Sequence, residues 1–335
     1  MANNSHTLFY LGAGASVPVL PVTSDILIEA NNFINHIEAY KKKQPNRPGI
    51  TKPELGLLFN SIDNLLKDIH FFKAACEKHI SIDTAAKKYL SQERIIEYDT
   101  IKQSLTDLFS FIQFTKPVST RYDAFIAALY DHRKSKLPEQ VKIVSWNYDF
   151  QFELAFSEYF NRYIYQHVAE GLNLTPHPQR SPSINSFFLY KMNGSATYID
   201  KLNNEEFAPL FPKLNTDRTI ESVIEGIIHY RSNLYKNNIR FAFESNLDFE
   251  VLSQLRSSIS NCVNLVVIGY SFPFFNRDYD NFVFAQSNFE NIYVQCPQES
   301  FADISSVMES FIQHKKPIQH IHANENSPFF IPRNL

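Results

Sequence analysis

The stretch TLFYLGAGAS, residues 7–16, joins a short apolar run to a turn that contains two glycines. The successive apolar residues at 8–11 predict a buried strand, and Gly12 and Gly14 predict a tight turn directly after it. A glycine turn between a strand and a helix lets backbone N–H groups approach a pyrophosphate. The stretch therefore predicts the first strand of an α/β sheet followed by a dinucleotide loop, and an ordinary tight turn is an equally good interpretation of the motif alone.

The loop departs from the fingerprint of nicotinamide-dependent dehydrogenases. That fingerprint, G-x-G-x-x-G, requires a third glycine at position 17, where valine stands. It also requires an acidic residue about 20 positions further on, at the end of the second strand. Glu29 lies near that distance but within a predicted helix, so the sequence disfavours hydride transfer.

The remaining apolar segments alternate with helical ones. Strands are predicted at residues 141–146, 162–167, 187–192, 264–272, 291–296 and 318–323. Apolar strands that alternate with helices are typical of a parallel sheet covered on both faces. We therefore expect an α/β fold with a Rossmann-like, mainly parallel sheet and helices on both faces.

Two long segments interrupt this alternation. The first has apolar residues at helical spacing over about 25–40, 54–90, 92–114 and 120–132. It predicts a large helical insertion at about 27–135, and a mixed, mostly helical segment predicts a second, smaller insertion at about 198–261. The expected organisation is a single domain, 1–335, that carries both insertions.

Composition excludes several classes of protein. Apolar residues make up 44% and charged residues 20% of the 335, and the net charge of −3 gives no support for nucleic-acid binding. The three cysteines form no CxxC pair, which excludes a tetrathiolate zinc module, and we expect no metal. No apolar run approaches the roughly 20 residues that span a bilayer, and the N-terminus lacks a signal-peptide pattern. We expect a cytoplasmic protein with no membrane partner.

Three further motifs follow predicted strands. They are SWNYD (145–149), KMNGS (191–195) and IGYS (268–271). Parallel sheets bind ligands at the carboxyl ends of their strands, and an asparagine there can hold a ribose hydroxyl or orient a water molecule. Each motif also has an ordinary interpretation, because Asp149 can cap the next helix and Asn193-Gly194 is a turn signal.

In their order along the chain, the four motifs resemble those of the sirtuin-like family, in its bacterial NAD-hydrolysing branch of anti-phage defence effectors. The chain looks unlike the protein-deacylating branch, because the zinc-binding cysteines of that branch are missing. The resemblance implies that NAD is a substrate of this protein rather than a redox carrier. The helical insertion after the first loop also fits the family.

The resemblance implies roles for individual residues. The first loop would cradle the pyrophosphate, Asn147 would lie near the nicotinamide ribose with Asp149 supporting its loop, and the motif at 268–271 would contact the adenosine side. The residues implied in NAD binding are Gly12, Ala13, Gly14, Ala15, Ser16, Asp25, Asp149, Gly194, Ser195, Gly269, Tyr270 and Ser271, and the catalytic candidates are Asn147, Asn193 and His167.

One position departs from the family pattern. The family usually has a histidine, taken as the catalytic base, where this chain has Asn193, and an amide accepts no proton at neutral pH. General-base help is typically worth about 10² to 10⁴ in rate. Either the enzyme is inactive or slow, or departure of the leaving group dominates the barrier and water needs only orientation. His167, predicted at the carboxyl end of its strand, is a candidate substitute.

Two functions remain open. The first is NAD⁺ glycohydrolysis, which gives ADP-ribose and nicotinamide, by an abortive-infection effector. The resemblance implies that such an effector is activated by homo-oligomerisation or by a companion protein encoded nearby, of nucleotide-sensing, helicase-like or Argonaute-like type. The alternative is a catalytically degenerate subunit that binds or senses NAD or ADP-ribose.

Overall fold

The protein is described by a computed structural model that covers most of the chain. The described residues are 5–22, 25–132, 136–175, 186–200, 207–208, 210–211, 213–214, 218–231, 235–244, 249–285, 287–312 and 316–335. The strands are β1 (Thr7–Leu11), β2 (Val141–Ser145), β3 (Leu174–Thr175), β4 (Phe188–Lys191), β5 (Gly194–Asp200), β6 (Phe207–Ala208), β7 (Tyr235–Ile239), β8 (Asn264–Ile268), β9 (Asn291–Cys296) and β10 (Ile318–His322). The helices are α1 (Ile26–Lys43), α2 (Lys52–Lys78), α3 (Ile82–Ser91), α4 (Ile95–Thr115), α5 (Thr120–Leu129), α6 (Gln151–Phe160), α7 (Tyr165–Gly171), α8 (Ile220–Tyr230), α9 (Phe249–Ile259), α10 (Arg277–Phe284) and α11 (Gln298–Glu309).

The chain divides into two compact units, each assembled from separate segments. The first unit comprises Met1–Val19, Val118–Gly194 and Arg240–Leu335. The second comprises Leu20–Pro117 and Ser195–Ile239. The first unit contains the parallel sheet, and the second contains α1–α4, α8 and, apart from Gly194, a three-stranded sheet.

The first unit is built on a parallel sheet that has seven strands in the described part of the chain. Their order is β10-β9-β8-β1-β2-β4-β3, and all the neighbouring pairs are parallel. β1 is central, and the chain builds outward from it, first through β2 and later, on the other side, through β8. This Rossmann-like α/β architecture confirms the predicted fold class.

Helices cover both faces of this sheet. Every residue of β1 is buried, and successive side chains of a strand point to opposite faces. The ring of Phe9 packs on Phe125 of α5 at 4.8 Å between centroids, and the ring of Tyr10 packs on Phe284 of α10 at 5.0 Å. The continuous apolar run in β1 is therefore explained by burial on both sides.

The second unit is mainly helical, and α4 lies at its core. The α4 residues 104–114 are all buried, and six of these eleven residues are apolar or aromatic. The carboxylate of Asp107 accepts hydrogen bonds from Tyr198 at 2.8 Å and from Arg231, and Arg231 also pairs with Asp68. These partners satisfy a carboxylate that would otherwise be costly to bury. Beside the helices, β5 forms a sheet with β6 and β7 in the order β6-β5-β7.

The predicted strand at 162–167 is wrong. Residues 165–171 form α7, and the strand that pairs with β4 on the side away from β2 is the two-residue β3. The reason lies in the spacing of the apolar residues, because Tyr165, Val168, Ala169 and Leu172 recur at helical intervals and are all buried. The first half of this pattern also fits a strand when it is taken alone.

The predicted helix at 54–90 is two helices. α2 ends at Lys78, and α3 begins after Ser81, whose hydroxyl accepts a hydrogen bond from the Thr84 N–H at 3.2 Å. Ser81 is therefore a helix N-cap that interrupts an otherwise continuous helical pattern. Within the described ranges, no helix combines the length and the hydropathy needed to cross a bilayer.

Candidate functional site

Four loops begin at the same level of the parallel sheet, at its carboxyl edge. Leu11 of β1 is in register with Ser145 of β2 and with Ile268 of β8, and Ser145 is in register with Lys191 of β4. The four sequence motifs start at these strand ends, so the fold brings them together. Strand order reverses at β1, and open α/β sheets bind ligands in the crevice beside such a reversal.

The glycines of the first loop are required by contact with the loop after β8. A Cβ at Gly12 would lie 2.6 Å from the carbonyl oxygen of Gly269, and one at Gly14 would lie 2.9 Å from its Cα. Gly269 itself has a φ of +60°, and a Cβ there would lie 2.3 Å from the backbone nitrogen of Ala15. In this structure, packing of one loop on the other explains all three glycines.

Most backbone amides of the first loop are used within the protein. The N–H groups of Gly12 and Gly14 donate to carbonyls at the end of β8, each at 3.0 Å. Those of Ala15 and Ser16 donate within the loop at 2.8 and 3.1 Å. Among the described residues, the N–H of Ala13 is the one amide of residues 12–16 that has no hydrogen-bond acceptor, and Ala13 is exposed. In this conformation the predicted pyrophosphate cradle offers that single unpaired amide.

The buried hydroxyl of Ser16 lies at the centre of a hydrogen-bonded cluster. It donates to Oδ2 of Asp149 at 2.6 Å and accepts from the Nδ2 of Asn147 at 3.1 Å. Its oxygen also lies 2.9 Å from the hydroxyl of Tyr122. Oδ1 of Asp149 accepts from the backbone N–H of Gln151 at 3.0 Å, so this carboxylate caps α6 as well. The cluster joins the loop after β1 to the loop after β2.

Asn193 lies in the two-residue turn between β4 and β5. Its Nδ2 donates to the backbone oxygen of Trp146 at 2.9 Å, and its own backbone oxygen accepts from the N–H of Arg240 at 2.8 Å. Gly194 has a φ of +67°, a conformation that favours glycine, which explains the Asn-Gly pair as turn chemistry. The side chain of Asn193 thereby ties the loop after β4 to the loop after β2.

The side-chain oxygens of Asn147 and Asn193 are buried and have no hydrogen-bond partner among the described residues. Turning the amide of Asn193 round would not remove its deficit. The nitrogen of Asn193 faces a carbonyl, which only accepts, and the nitrogen of Asn147 faces Ser16, whose one hydrogen already goes to Asp149. An unsatisfied buried acceptor is costly, and such atoms in folded proteins call for a partner or a role. The site therefore contains two buried carboxamide oxygens that have no hydrogen-bond donor among the described residues.

A buried ion pair lies next to these loops. The ammonium group of Lys191 donates to the backbone oxygen of Asp149 and lies 3.5 Å from Oε1 of Glu153. Both side chains are buried, and burial raises the pKa of Glu153 while Lys191 opposes that rise. Apart from this ion pair, neither carboxylate oxygen of Glu153 has a hydrogen-bond partner among the described residues.

Arg121 binds the backbone oxygens of the first loop. Its Nη1 donates to the backbone oxygens of Gly14 and Ala15, each at 3.1 Å, and to that of Val17 at 3.3 Å. Its Nε donates to the backbone oxygen of Ser327 at 2.8 Å. Arg121 is not predictable from the sequence as a site residue, since a single arginine at the start of a helix does not indicate that its guanidinium binds backbone carbonyls.

Tyr270 belongs to a buried polar cluster on one face of the sheet. The hydroxyls of Tyr10 and Tyr270 both donate to the carboxylate of Asp280, at 2.5 and 2.9 Å. The indole of Trp146 donates to Tyr10 at 2.9 Å and stacks on Tyr270 with ring centroids 5.9 Å apart. Burial raises the pKa of Asp280 to about 7. The hydroxyl of Tyr270 is therefore engaged in the core, and the neighbouring Ser271 is exposed.

The remaining predicted site residues are His167, Asp25 and Ser195. The strand that placed His167 at the ligand edge is not formed, and His167 is an exposed residue of α7. Asp25 precedes α1 and Ser195 lies in β5, both in the second unit. The hydroxyl of Ser195 lies 3.1 Å from that of Thr197. No group of three or more His, Cys, Asp or Glu side chains in the described segments is arranged to hold a metal ion.

Comparisons with known proteins do not assign this chain to a family. No family model matches the chain, and no curated protein matches it. Among solved structures, a Sir2 enzyme is similar at 12% sequence identity, over 97% of this chain and 89% of that one, with a TM-score of 0.40. At this identity and TM-score the similarity says nothing about the activity of this chain.

Proposed function

We propose that the carboxyl edge of the parallel sheet binds NAD⁺ and hydrolyses its N-glycosidic bond to give ADP-ribose and nicotinamide. The observation that supports this most directly is the pair of buried, unpartnered carboxamide oxygens of Asn147 and Asn193. The nicotinamide ribose offers two neighbouring hydroxyl groups, which are donors, and an attacking water is a third. Two fixed acceptors fit such a group of donors, whereas a site for a purely anionic ligand would need donors.

The reaction makes modest demands on the protein. The bond between C1′ of the ribose and the ring nitrogen breaks, its electron pair goes to nicotinamide, and an oxocarbenium-like ribosyl group remains. Water then forms the new C1′–O bond and releases a proton to solvent. Asn147 and Asn193 would hold the ribose hydroxyls and orient that water by accepting hydrogen bonds. Without a general base the rate loses about 10² to 10⁴, which slows the reaction but does not abolish it.

Ser16 and Asp149 are positioning residues in this proposal. The carboxylate of Asp149 accepts a hydrogen bond from the hydroxyl of Ser16. The oxygen of Ser16 is thereby left to accept a hydrogen bond from the amide of Asn147. This chain of hydrogen bonds fixes which atom of Asn147 faces the ligand. A preorganised acceptor stabilises the transition state more than a freely rotating one does, because folding has already fixed its orientation and no reorganisation is needed during the reaction.

We also propose that the activity serves as an abortive-infection effector that is held inactive until needed. Hydrolysis of NAD⁺ halts growth, so a cell must restrain it. The support is the resemblance in the order of the motifs, which implies a companion protein encoded nearby or assembly of several copies as the trigger. Co-purification and turnover with the product of the neighbouring gene test this part of the proposal.

The test of the activity is turnover of a fluorescent NAD analogue by wild type, Asn147→Ala and Asn193→Ala, each with and without the neighbouring gene product. Asn264→Ala is a matched control, because Asn264 is a fully buried asparagine at the amino end of β8 whose amide is paired with Thr7 and Asn334. We expect a large fall in turnover, to a low residual rate, in the first two variants and wild-type turnover in the control. No turnover in either condition, or equal rates in wild type and Asn147→Ala, would refute the proposal.

A second function, binding or sensing of NAD or ADP-ribose without turnover, is favoured by Asn193. This residue supplies no base, and the predicted substitute His167 is an exposed residue of α7. Tight binding by calorimetry together with an inert Asn193→His variant would support a sensor. A gain of turnover in Asn193→His would show that the site is one residue away from full catalysis.

A further inference from the structure

Within the described part of the chain, the structure shows three hydrogen bonds that join the loops carrying Asn147 and Asn193. The N–H of Met192 donates to the backbone oxygen of Ser145 at 2.8 Å, which extends the sheet by one step. The amide of Asn193 donates to Trp146, directly before Asn147. The ammonium of Lys191 donates to the backbone oxygen of Asp149, two residues after Asn147. The first two bonds hold the loop before Asn147, and Lys191 alone among these three groups holds it on the far side.

The burial of Lys191 needs an explanation that stability does not supply. Its counter-ion, Glu153, is fully buried, and neither of its carboxylate oxygens has a hydrogen bond within the described residues. A buried ion pair with so few hydrogen bonds recovers little of its desolvation cost, and an apolar pair of similar volume would be at least as stable. What an apolar pair would not supply is a donor for the backbone oxygen of Asp149.

We propose that Lys191, with Glu153 as its counter-ion, is a positioning residue that sets the spacing between the carboxamide oxygens of Asn147 and Asn193. The functional part of this inference rests on the proposed function, because the two oxygens are taken to hold the ribose and water. Lys191 itself touches neither oxygen. It acts through the backbone of Asp149 on one loop and through the chain from Lys191 to Asn193 on the other.

The chain offers a matched control in Lys142. This lysine is also buried and also donates from its ammonium to a backbone oxygen, that of Ser186. It lies on β2, next to β4, but near the amino end of the strand, where it is in register with Phe188. Lys142→Met therefore removes the same kind of bond from the opposite edge of the same sheet.

The first measurement is independent of any activity. Hydrogen exchange of the peptides that contain residues 145–149 and 192–194 is compared between wild type, Lys191→Met and Lys142→Met, with melting temperatures as a check on folding. We expect faster exchange of both peptides in Lys191→Met, and wild-type exchange of both in Lys142→Met. Unchanged exchange in Lys191→Met, or the same acceleration in both variants, would overturn the positioning role whether or not the protein hydrolyses NAD⁺.

The second measurement asks whether Lys191 acts through Asn147. Turnover of the fluorescent NAD analogue is measured for Lys191→Met, Asn147→Ala and the double variant, with Glu153→Gln as an isosteric probe of the counter-ion. We expect Lys191→Met to lower kcat by about ten- to one-hundred-fold with a smaller change in KM, since a misplacement of about 1 Å costs up to about 10² in rate. In the Asn147→Ala background the same change should cost little more.

Equal losses from Lys191→Met with and without Asn147 would overturn the inference that Lys191 acts through that asparagine. If wild type turns over no NAD, the proposed function fails, and the hydrogen-exchange comparison still decides whether Lys191 fixes the two loops. The two failures are therefore distinguishable.

Discussion

Gly269→Ala is the substitution for which the structure makes the sharpest prediction. The residue has a φ of +60°, and a left-handed conformation costs an L-residue roughly 1–2 kcal/mol. The added Cβ would lie 2.3 Å from backbone atoms of Gly14 and Ala15, where ordinary contact begins at 3.4 Å. The two loops must therefore separate by about 1 Å, a distance at which positioning errors become costly.

This separation also breaks a hydrogen bond. The N–H of Gly14 donates to the oxygen of Gly269 at 3.0 Å, and a shift of this size removes a contribution of about 0.5–1.5 kcal/mol. Together with the conformational cost, we expect the free energy of unfolding of the first unit to fall by about 1.5–3.5 kcal/mol. Turnover of NAD should fall as well, because the displaced loop carries Ser16.

The sole tryptophan makes this measurable in the first unit. Trp146 is buried beside Asn147, so its fluorescence in a urea titration reports on the sheet and its loops. Gly171→Ala is the control, since its Cβ meets only the ring of Phe156, at 2.6 Å, and not the loop backbone. We expect a smaller loss of stability and unchanged turnover in the control. A Gly269→Ala protein with wild-type midpoint and turnover would refute the argument that close loop packing requires this glycine.

Three further predictions follow from the contacts of the site. Arg121→Met leaves the carbonyls of the first loop without their donor, and should lower the free energy of unfolding by about 2–3 kcal/mol in the same urea titration; an unchanged midpoint would contradict this. Ser16→Ala releases the amide of Asn147 and should lower kcat/KM for NAD about ten-fold by fluorescence assay, and a wild-type value would contradict the positioning role. The raised pKa of Asp280, about 7 and due to burial, means that the folded state binds a proton which the unfolded state releases near pH 4. The contribution of Asp280 to stability should therefore fall as the pH rises from about 4 to about 7, by up to about 1.4 kcal/mol per pH unit, and the slope of stability with pH should be less negative in Asp280→Asn than in wild type; an equal slope in both proteins would count against it.

The sequence was sufficient for the fold because the strands of the sheet are buried on both faces. A continuous apolar run such as β1 has few other interpretations when it ends in a glycine turn. Placement of four motifs at strand ends was also sufficient to bring them to one edge, since parallel strands share their direction. The strand predicted at 162–167 was wrong because this segment is too short for the spacing of its apolar residues to distinguish a strand from a helix. The later residues Val168, Ala169 and Leu172 are needed to show the helical spacing.

The details of the site were beyond the sequence because they depend on pairing across the chain. Nothing local indicates that the hydroxyl of Ser16 lies 2.6 Å from Asp149, or that Lys191 donates to that residue's backbone. The glycines show the same limit. The motif indicates that a close approach occurs at Gly12 and Gly14, and only the structure shows that the partner is Gly269.

The most direct test of the central claim is analysis of the products formed from NAD⁺ by the full chain, alone and with the product of the neighbouring gene. We expect nicotinamide and ADP-ribose in equal amounts, a large fall in both in Asn147→Ala, and wild-type amounts in Asn264→Ala. NAD⁺ that is bound but recovered intact, or products that form equally well without Asn147, would contradict it.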